Sequence, residues 1–475
     1  MNYTLLTPEI IICCTAMFIL VIDLFLSQGA KKLLGWIAII GLICAMVAVY
    51  NSPHGLAFGN RSFVVDSFAI YFKYLLLGIG ILVVFSSMDY LKDRTSHHGE
   101  YYFILLLVIM GTLFMVSAGE LISLFVSLEL LSIGSYVLVA YLRTKQGIEG
   151  GIKYLLFGAC CSAILLYGLG IIYGMTGTTE IKGIGEFLSH NDKGCALLLG
   201  LAFTLVGFGF KIVCIPFHFW VPEAYEGAPT PITGFLASAS KVASFAVFIR
   251  IFIEGFGGIR QEWIMALIVL CILTMAIGNL SAIPQANIKR LLAYSSIGHA
   301  GYLLIGIIIG TTSGLSAVMF YLLVYALTTL GIFTVIAIIS NKINTDEIDG
   351  YTGMYKRSPF LCLCMLICLA SLAGLPPLAG FMGKFYLFAY AIHSGYIYLA
   401  AIGFIFSTIS VYYYFRILKS MYFGDVKDES IIPTPFLLRL ILILIMLGLF
   451  LIGILPQTFI SFALESAKGI GCVNL

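Results

Sequence analysis

The chain has 475 residues, 61% of them hydrophobic and only 10% charged, with a formal net charge of +3, whereas soluble proteins run at about 45–50% apolar and about 25% charged. That balance excludes a soluble domain of useful size and a nucleic-acid partner, and it marks a polytopic protein whose surroundings are the lipid bilayer. A helix needs about 20 apolar residues to cross about 30 Å of hydrocarbon, so the near-continuous hydropathy leaves room for about 14 spans and an all-α fold.

Taken in chain order, the first span covers 5–26. It has no basic n-region and no small-residue cleavage site, so it is expected to be retained. With spans at 33–50 and 66–88 it makes an N-terminal three-helix segment, 1–100. Asp23 and Lys73 lie near span ends there and read as snorkelling or subunit-contact groups. His97 and His98, beside Lys92 and Arg94, read as solvated loop. The next spans, 101–117, 120–142, 152–175, 195–216 and 230–253, fill a segment 101–254. A second set, 263–283, 288–310, 314–340, 358–393 and 396–422, fills 263–423, and a last span at 436–456 belongs to a C-terminal helix in 424–475.

Two of these segments resist being one straight helix. The 34 residues from Pro359 to Ile392 would make a rod roughly 50 Å long, well past the hydrocarbon thickness. The break is expected at Gly374-Leu-Pro-Pro-Leu-Ala-Gly380, because proline removes a backbone donor and glycine tolerates unwinding. From Cys195 onward, Gly207, Gly209, Pro216 and Pro222 bracket Lys211 and His218 in the same way. Unwound backbone at membrane depth survives only where protein or water lines it. Lys211 and Lys384 are 173 residues apart, so spans four to eight and nine to thirteen read as two copies of a five-span unit. An odd number of spans per copy turns the second upside down, an inverted repeat. With the N-terminus outside, inward loops carry 16 basic residues and outward loops 6, which places both termini outside by the positive-inside rule.

Ionised side chains inside apolar spans cost about 2.5–3.5 kcal/mol each, so those that persist are expected to act. Glu129, in Ser127-Leu-Glu-Leu-Leu-Ser132, lies roughly 14 Å past the start of its span, and its natural partner is a buried lysine such as Lys211. Burial and a neighbouring carboxylate act in opposite senses on a lysine's hold on its proton, so such a pair is poised to change charge; a static ion pair is the plainer reading. Lys241 lies roughly 15 Å into its span, flanked by Ser238 and Ser244, with snorkelling the plainer alternative. His299 shares a face with Ser295, Ser296 and Tyr302; it and His218 read equally as relays or as packing residues. Tyr321, Tyr325, Thr328 and Thr329 form a polar stripe on the eleventh span. Most of the 12 cysteines lie in apolar spans as small hydrophobes, and Cys362, Cys364 and Cys368 have no further ligand nearby in sequence, so no metal site is expected.

Together, Ser127–Ala140, Gly151–Gly158, the run Lys211-Ile-Val-Cys-Ile-Pro-Phe-His-Phe-Trp-Val-Pro-Glu-Ala-Tyr-Glu-Gly-Ala-Pro-Thr-Pro231, Asn287–Tyr302 and Gly374–Phe385 resemble the antiporter-like membrane subunits of respiratory complex I. The resemblance runs from about the third to the thirteenth span. It implies 14 helices, inverted repeats each with a broken helix, and a hydrated central axis. It further implies proton transfer by Glu129, Lys211, Lys241 and Lys384, with His218 and His299 on the same axis. Proton movement would be coupled to NADH oxidation and quinone reduction in other subunits of a bacterial plasma-membrane complex, including neighbouring antiporter-like subunits. Two features narrow the match: the chain stops soon after the last span, leaving no room for the long lateral helix of one branch, and Lys384 stands where another branch is expected to carry a glutamate. The sequence shows no nucleotide-binding glycine loop, flavin motif or Fe–S cysteine spacing. NADH, FMN, Fe–S clusters and quinone are therefore expected in partner subunits and no cofactor in this one. A subunit of a multi-subunit sodium/proton antiporter is the alternative, and a transport-neutral scaffold a third.

Overall fold

The computed structural model describes residues 3–470 apart from 54, 60, 93, 191–193 and 425–429, so Lys193 and Lys427 of the loop count lie outside the described residues. Two helices, α1 (Thr7–Asp23) and α2 (Lys32–Asn51), precede a small antiparallel hairpin of β1 (Leu56–Phe58) and β2 (Phe63–Val65). Then come α3 (Ser67–Tyr90), α4 (His98–Ser117), α5 (Leu121–Val139), α6 (Lys145–Thr176), the short amphipathic α7 (Ile181–His190), α8 (Cys195–Lys211) and α9 (Trp220–Gly227). The stretch Thr230–Gly255 follows as one rod, α10 (Thr230–Phe235) and α11 (Lys241–Ile249), with a π-helical turn after each. The second half contains α12 (Arg260–Ala282), α13 (Ile288–Ile309), α14 (Thr312–Ile343), a short α15 (Met354–Arg357), α16 (Pro359–Ala373), α17 (Ala379–His393), α18 (Ile397–Tyr422), α19 (Phe436–Ile454) and α20 (Pro456–Ala467). Among the described residues, 12 helical stretches are long and apolar enough to cross a membrane, and α8 and α16 are shorter apolar helices.

Local sequence explains where the rods begin and end. Asp66 caps α3 by accepting from the Ala69 amide at 2.7 Å, Thr144 caps α6, Asn287 caps α13 and Thr311 caps α14, each satisfying amides that have no partner inside the helix. Gly177, Gly310 and Gly374 end α6, α13 and α16 in the left-handed conformation, which glycine adopts without a Cβ penalty. At the expected second break, α16 stops at Ala373 and α17 resumes at Ala379. At the first, α8 stops at Lys211, the chain turns through Val213 (φ 66°) and a cis Ile215–Pro216 bond, and α9 begins at Trp220.

A helix that is apolar all round belongs in the interior, and α10–α11, α13 and α14 are buried along most or all of their length. α14 packs on α3, α10, α13, α16, α17, α19 and α20. α13 lies closely on α12, where a Cβ on Gly301 would come within 2.8 Å of the Met275 amide nitrogen. Small residues let membrane helices approach in this way. Polar residues on α11, α13 and α14 therefore face one another rather than lipid.

Several sequence expectations need correction. α6 starts at Lys145, so Lys145 and Lys153 sit on its first turns, not in a loop, and Lys153 pairs with Glu149 at 2.8 Å. Arg250, assigned to an outward loop, is buried and grips Asp66 at the start of α3 through two bonds of 2.8 and 3.0 Å. Lys73 does not snorkel, because it is 2.7 Å from Glu9 of α1 with both side chains buried. Asp23 pairs with Lys31 at 3.1 Å, tying the α1–α2 turn. His98 is buried at the start of α4 rather than solvated. The C-terminal segment is two helices, broken before Pro456, and the hairpin and α7 had no signal strong enough to read.

Candidate functional site

Four polar clusters lie on the buried faces of these helices. The first joins α5, α6 and α8. Ser162 of α6 donates to Glu129 Oε1 at 2.5 Å. One turn beyond Glu129, Ser132 accepts from Lys211 Nζ and donates to the Leu128 carbonyl at 2.5 Å. The Lys211 ammonium also stands over the Phe210 ring at 5.3 Å and the Tyr136 ring at 6.0 Å, where aromatic faces attract a cation. Lys211 ends α8, so its charge sits at the carbonyl end of a half-helix, which favours a cation. Glu129 and Lys211, expected as direct partners, each bond a serine instead, Ser162 for Glu129 and Ser132 for Lys211.

The second cluster surrounds Lys241, the first residue after the π-helical turn Leu236–Ser240. Its Nζ donates to both the carbonyl and the hydroxyl of Ser296 on α13, each at 2.5 Å, and faces the Tyr325 ring at 5.0 Å. Tyr325 donates to the same Ser296 hydroxyl at 2.9 Å, and the Tyr225 hydroxyl lies 3.4 Å from it. The flanking serines do not serve Lys241 directly: Ser238 and Ser244 bond back to the Gly234 and Ser240 carbonyls of their own rod.

The third cluster centres on His299, one turn further along α13. Tyrosine hydroxyls meet both ring nitrogens, Tyr321 of α14 at Nδ1 (2.6 Å) and Tyr414 of α18 at Nε2 (3.0 Å). Tyr414 also bonds Ser295. A neutral imidazole donates through one nitrogen and accepts through the other, so this arrangement satisfies either tautomer.

In the fourth, Lys384 of α17 reaches back across its helix break. Its Nζ donates to the Leu372 and Ala373 carbonyls at 2.8 and 3.1 Å, the last carbonyls of α16, and to Ser407 of α18 at 2.8 Å. The Tyr302 ring lies 5.2 Å from that ammonium and 5.5 Å from the His299 ring. Lys211 and Lys384 thus stand on opposite sides of their breaks, one ending the first half-helix and the other carried by the second.

From Lys241, hydrogen bonds run through Ser296 to Tyr325, and ring contacts carry on from Tyr325 to His299 at 5.2 Å, from His299 to Tyr302 at 5.5 Å and from Tyr302 to the Lys384 ammonium at 5.2 Å. Among the described residues no hydrogen bond joins the Lys211 cluster to the Lys241 cluster, and neither Lys241 nor Lys384 has a carboxylate within ion-pair distance. His218 lies in the turn before α9, its ring 4.5 Å from that of Phe219 and its Nδ1 buried without a partner. No hydrogen bond among the described residues joins His218 to any of the four charges. The stripe on α14 is placed as expected, with Thr328 3.3 Å from Ser371 beside the second break. Ser132, Ser162, Ser407, Tyr225 and Tyr414 were missed, because single hydroxyls within apolar runs carry no sequence signal until their neighbours are known.

The description of the NADH:quinone oxidoreductase/Mrp antiporter transmembrane family matches residues 118–410. The NADH-quinone oxidoreductase subunit N of Moorella thermoacetica is 41% identical over 471 residues, covering 98% of both chains. The NAD(P)H-quinone oxidoreductase subunit 2 of a Synechococcus species is 42% identical over 429 residues, covering 89% of this chain and 81% of that one. Among solved structures, a chain of respiratory complex I from Thermus thermophilus is 32% identical with a TM-score of 0.81, covering 96% of this chain and 98% of that one. A chain of the Mrp complex from Dietzia shares the fold, with a TM-score of 0.84 at 20% identity, covering 99% of this chain and 98% of that one.

Proposed function

The chain belongs to the NADH:quinone oxidoreductase/Mrp antiporter transmembrane family, and we propose that it is the N-type membrane subunit of a NADH:quinone oxidoreductase, translocating protons while partner subunits carry out the redox chemistry. The observation that carries this reading is the buried line of titratable and hydroxyl groups from Lys241 through Ser296 and His299 to Lys384. A membrane protein retains such groups against their burial cost where protons or ions pass.

In this reading NADH, FMN, Fe–S clusters and quinone belong to the partner subunits, and this chain holds none of them. It sits in a bacterial plasma membrane with both termini outside, beside other antiporter-like subunits. The segments 101–254 and 263–423 are the two inverted repeats. Support for that comes from two isolated bridges, Glu120 with Glu180 and Asn287 with Glu347, each joining positions 60 apart across a pair of long helices, α5–α6 in one segment and α13–α14 in the other.

The residues themselves set the steps. A change in the Glu129–Lys211 separation alters how firmly Lys211 holds its proton. The released proton reaches Lys241, which passes a proton to the Ser296 hydroxyl as that hydroxyl releases its own toward His299. There the imidazole takes a proton on one nitrogen as it gives up the one on the other. Lys384 receives it beside the last carbonyls of α16, which accept from its ammonium, and releases it outward. Glu129→Ala and Lys211→Ala are each expected to leave the complex assembled but oxidising NADH several-fold more slowly with fewer protons moved per electron pair; full stoichiometry in both would defeat the proposal. Co-purification separates the antiporter reading, since redox subunits accompany an oxidoreductase chain and antiporter subunits the other.

A further inference from the structure

On the face that carries the basic loops, a polar cavity of about 280 Å³ opens between the α3–α4 turn, the start of α6, the Glu226–Pro229 turn and the end of α14. Lys289 and Asp346 line it, joined by an ion pair of 2.9 Å, and Lys289 also donates to the Ala228 carbonyl at 3.4 Å. Three buried polar atoms near it have no hydrogen-bond partner: Asp346 Oδ1, the hydroxyl of Ser340, which is only 4% exposed, and the hydroxyl of Thr230, which is fully buried next to the lining residue Pro229. A buried hydroxyl or carboxylate left without a partner costs about 1–3 kcal/mol unless water reaches it. Ser340 and Asp346 line the cavity, where water reaches their free atoms, and Thr230 lies one residue beyond the lining residue Pro229.

Polar groups lead inward from there. Thr230 begins the rod that carries Lys241, and Thr233, on its next turn, donates to the Tyr225 carbonyl at 3.0 Å. The Tyr225 hydroxyl lies 3.4 Å from Ser296, which holds Lys241. Lys289 and Ser296 are both on α13, two turns and roughly 10 Å apart.

Building on the proton-translocating reading, we infer that this cavity is a proton-uptake vestibule and that Asp346 is the carboxylate through which protons pass from it toward the Lys241 cluster. A proton from bulk water adds to the free Oδ1 of Asp346. It leaves along the water and hydroxyl chain by way of Thr230 and Tyr225, each hydroxyl accepting one proton as it releases its own, and ends on a neutral Lys241 amine. Lys289 holds the carboxylate in place through its 2.9 Å ion pair, which leaves Oδ1 free to take the proton.

The assembled complex in inside-out vesicles tests this. In the Ser340→Cys variant, a charged, membrane-impermeant methanethiosulfonate added outside is expected to react and to slow NADH-driven proton uptake at least twofold, with no effect on the parent protein and its native cysteines. Failure to label, or labelling with unchanged uptake, overturns the inference. Asp346→Asn is expected to slow coupled NADH oxidation by a similar factor, and millimolar formate, a small diffusible acid, to restore it relative to formate-treated parent. A loss that formate does not restore is that of a purely structural ion pair and removes Asp346 from the path. Lys241→Ala separates the two levels: unimpaired pumping there sinks the function itself, whereas lost pumping there beside full pumping in the modified Ser340→Cys variant sinks only the vestibule.

Discussion

Ser296 receives bonds from Lys241 and Tyr325 and lies within 3.4 Å of Tyr225, so three rods converge on one hydroxyl. Ser296→Ala is expected to leave assembly intact and to slow proton pumping at least threefold in a vesicle acidification assay, while a serine-to-alanine change at Ser461, exposed on α20, leaves it unchanged. Away from this line, Lys73 and Glu9 form a pair with both side chains at 2% exposure or less. Removing one partner of such a pair costs about 3–5 kcal/mol, whereas replacing both is often near neutral. Lys73→Met should lower the thermal stability of the purified complex sharply, and Glu9→Gln with Lys73→Met should recover most of the loss. At this scale the sequence was informative about identity and poor about partnership. Glu129, Lys211, Lys241 and Lys384 stood out because each interrupts an apolar run. Their partners are hydroxyls and carbonyls of other helices, 79 positions away for Lys211 and 55 for Lys241 though only 11 to 23 for Lys384, and Arg250 passed as a loop residue because its carboxylate partner, Asp66, is 184 positions away.

The elements tell a complementary story. Glycine and proline at Gly374–Gly380 and Gly207–Pro222 announced both broken segments, since the backbone chemistry of those residues is local. On which side of each break the lysine sits was not legible, because that depends on where the next half-helix docks. The close crossing of α12 and α13 likewise rests on glycines whose role appears only in the packed pair. Gly301→Val should force α12 away from α13 at a cost of about 1–3 kcal/mol and displace Ser296 and His299 with it, read as a lower melting temperature together with slower pumping. Gly170 on α6 has open space around its would-be Cβ, so Gly170→Ala should be neutral or stabilise by up to about 1 kcal/mol through helix propensity in the same melting experiment.

At the scale of the whole molecule, the buried rods α10–α11, α13 and α14 form the interior on which the polar line is built, and the remaining helices shield it from lipid. Hydropathy made the membrane class and the spans readable, because twenty-residue apolar runs carry that signal by themselves. It was silent about α7, α20 and the hairpin, which are short and lie at the ends of spans, where neither length nor period separates helix from turn. Lys241 is the junction of the proposed route: the vestibule reaches it through Tyr225, the Lys211 cluster lies on one side of it and His299 with Lys384 on the other. The number of protons moved per NADH oxidised, measured in proteoliposomes containing the intact complex with Lys241→Met, tests that most directly. A clear fall below the parent value, with the complex fully assembled, is the predicted result; an unchanged number would contradict the route.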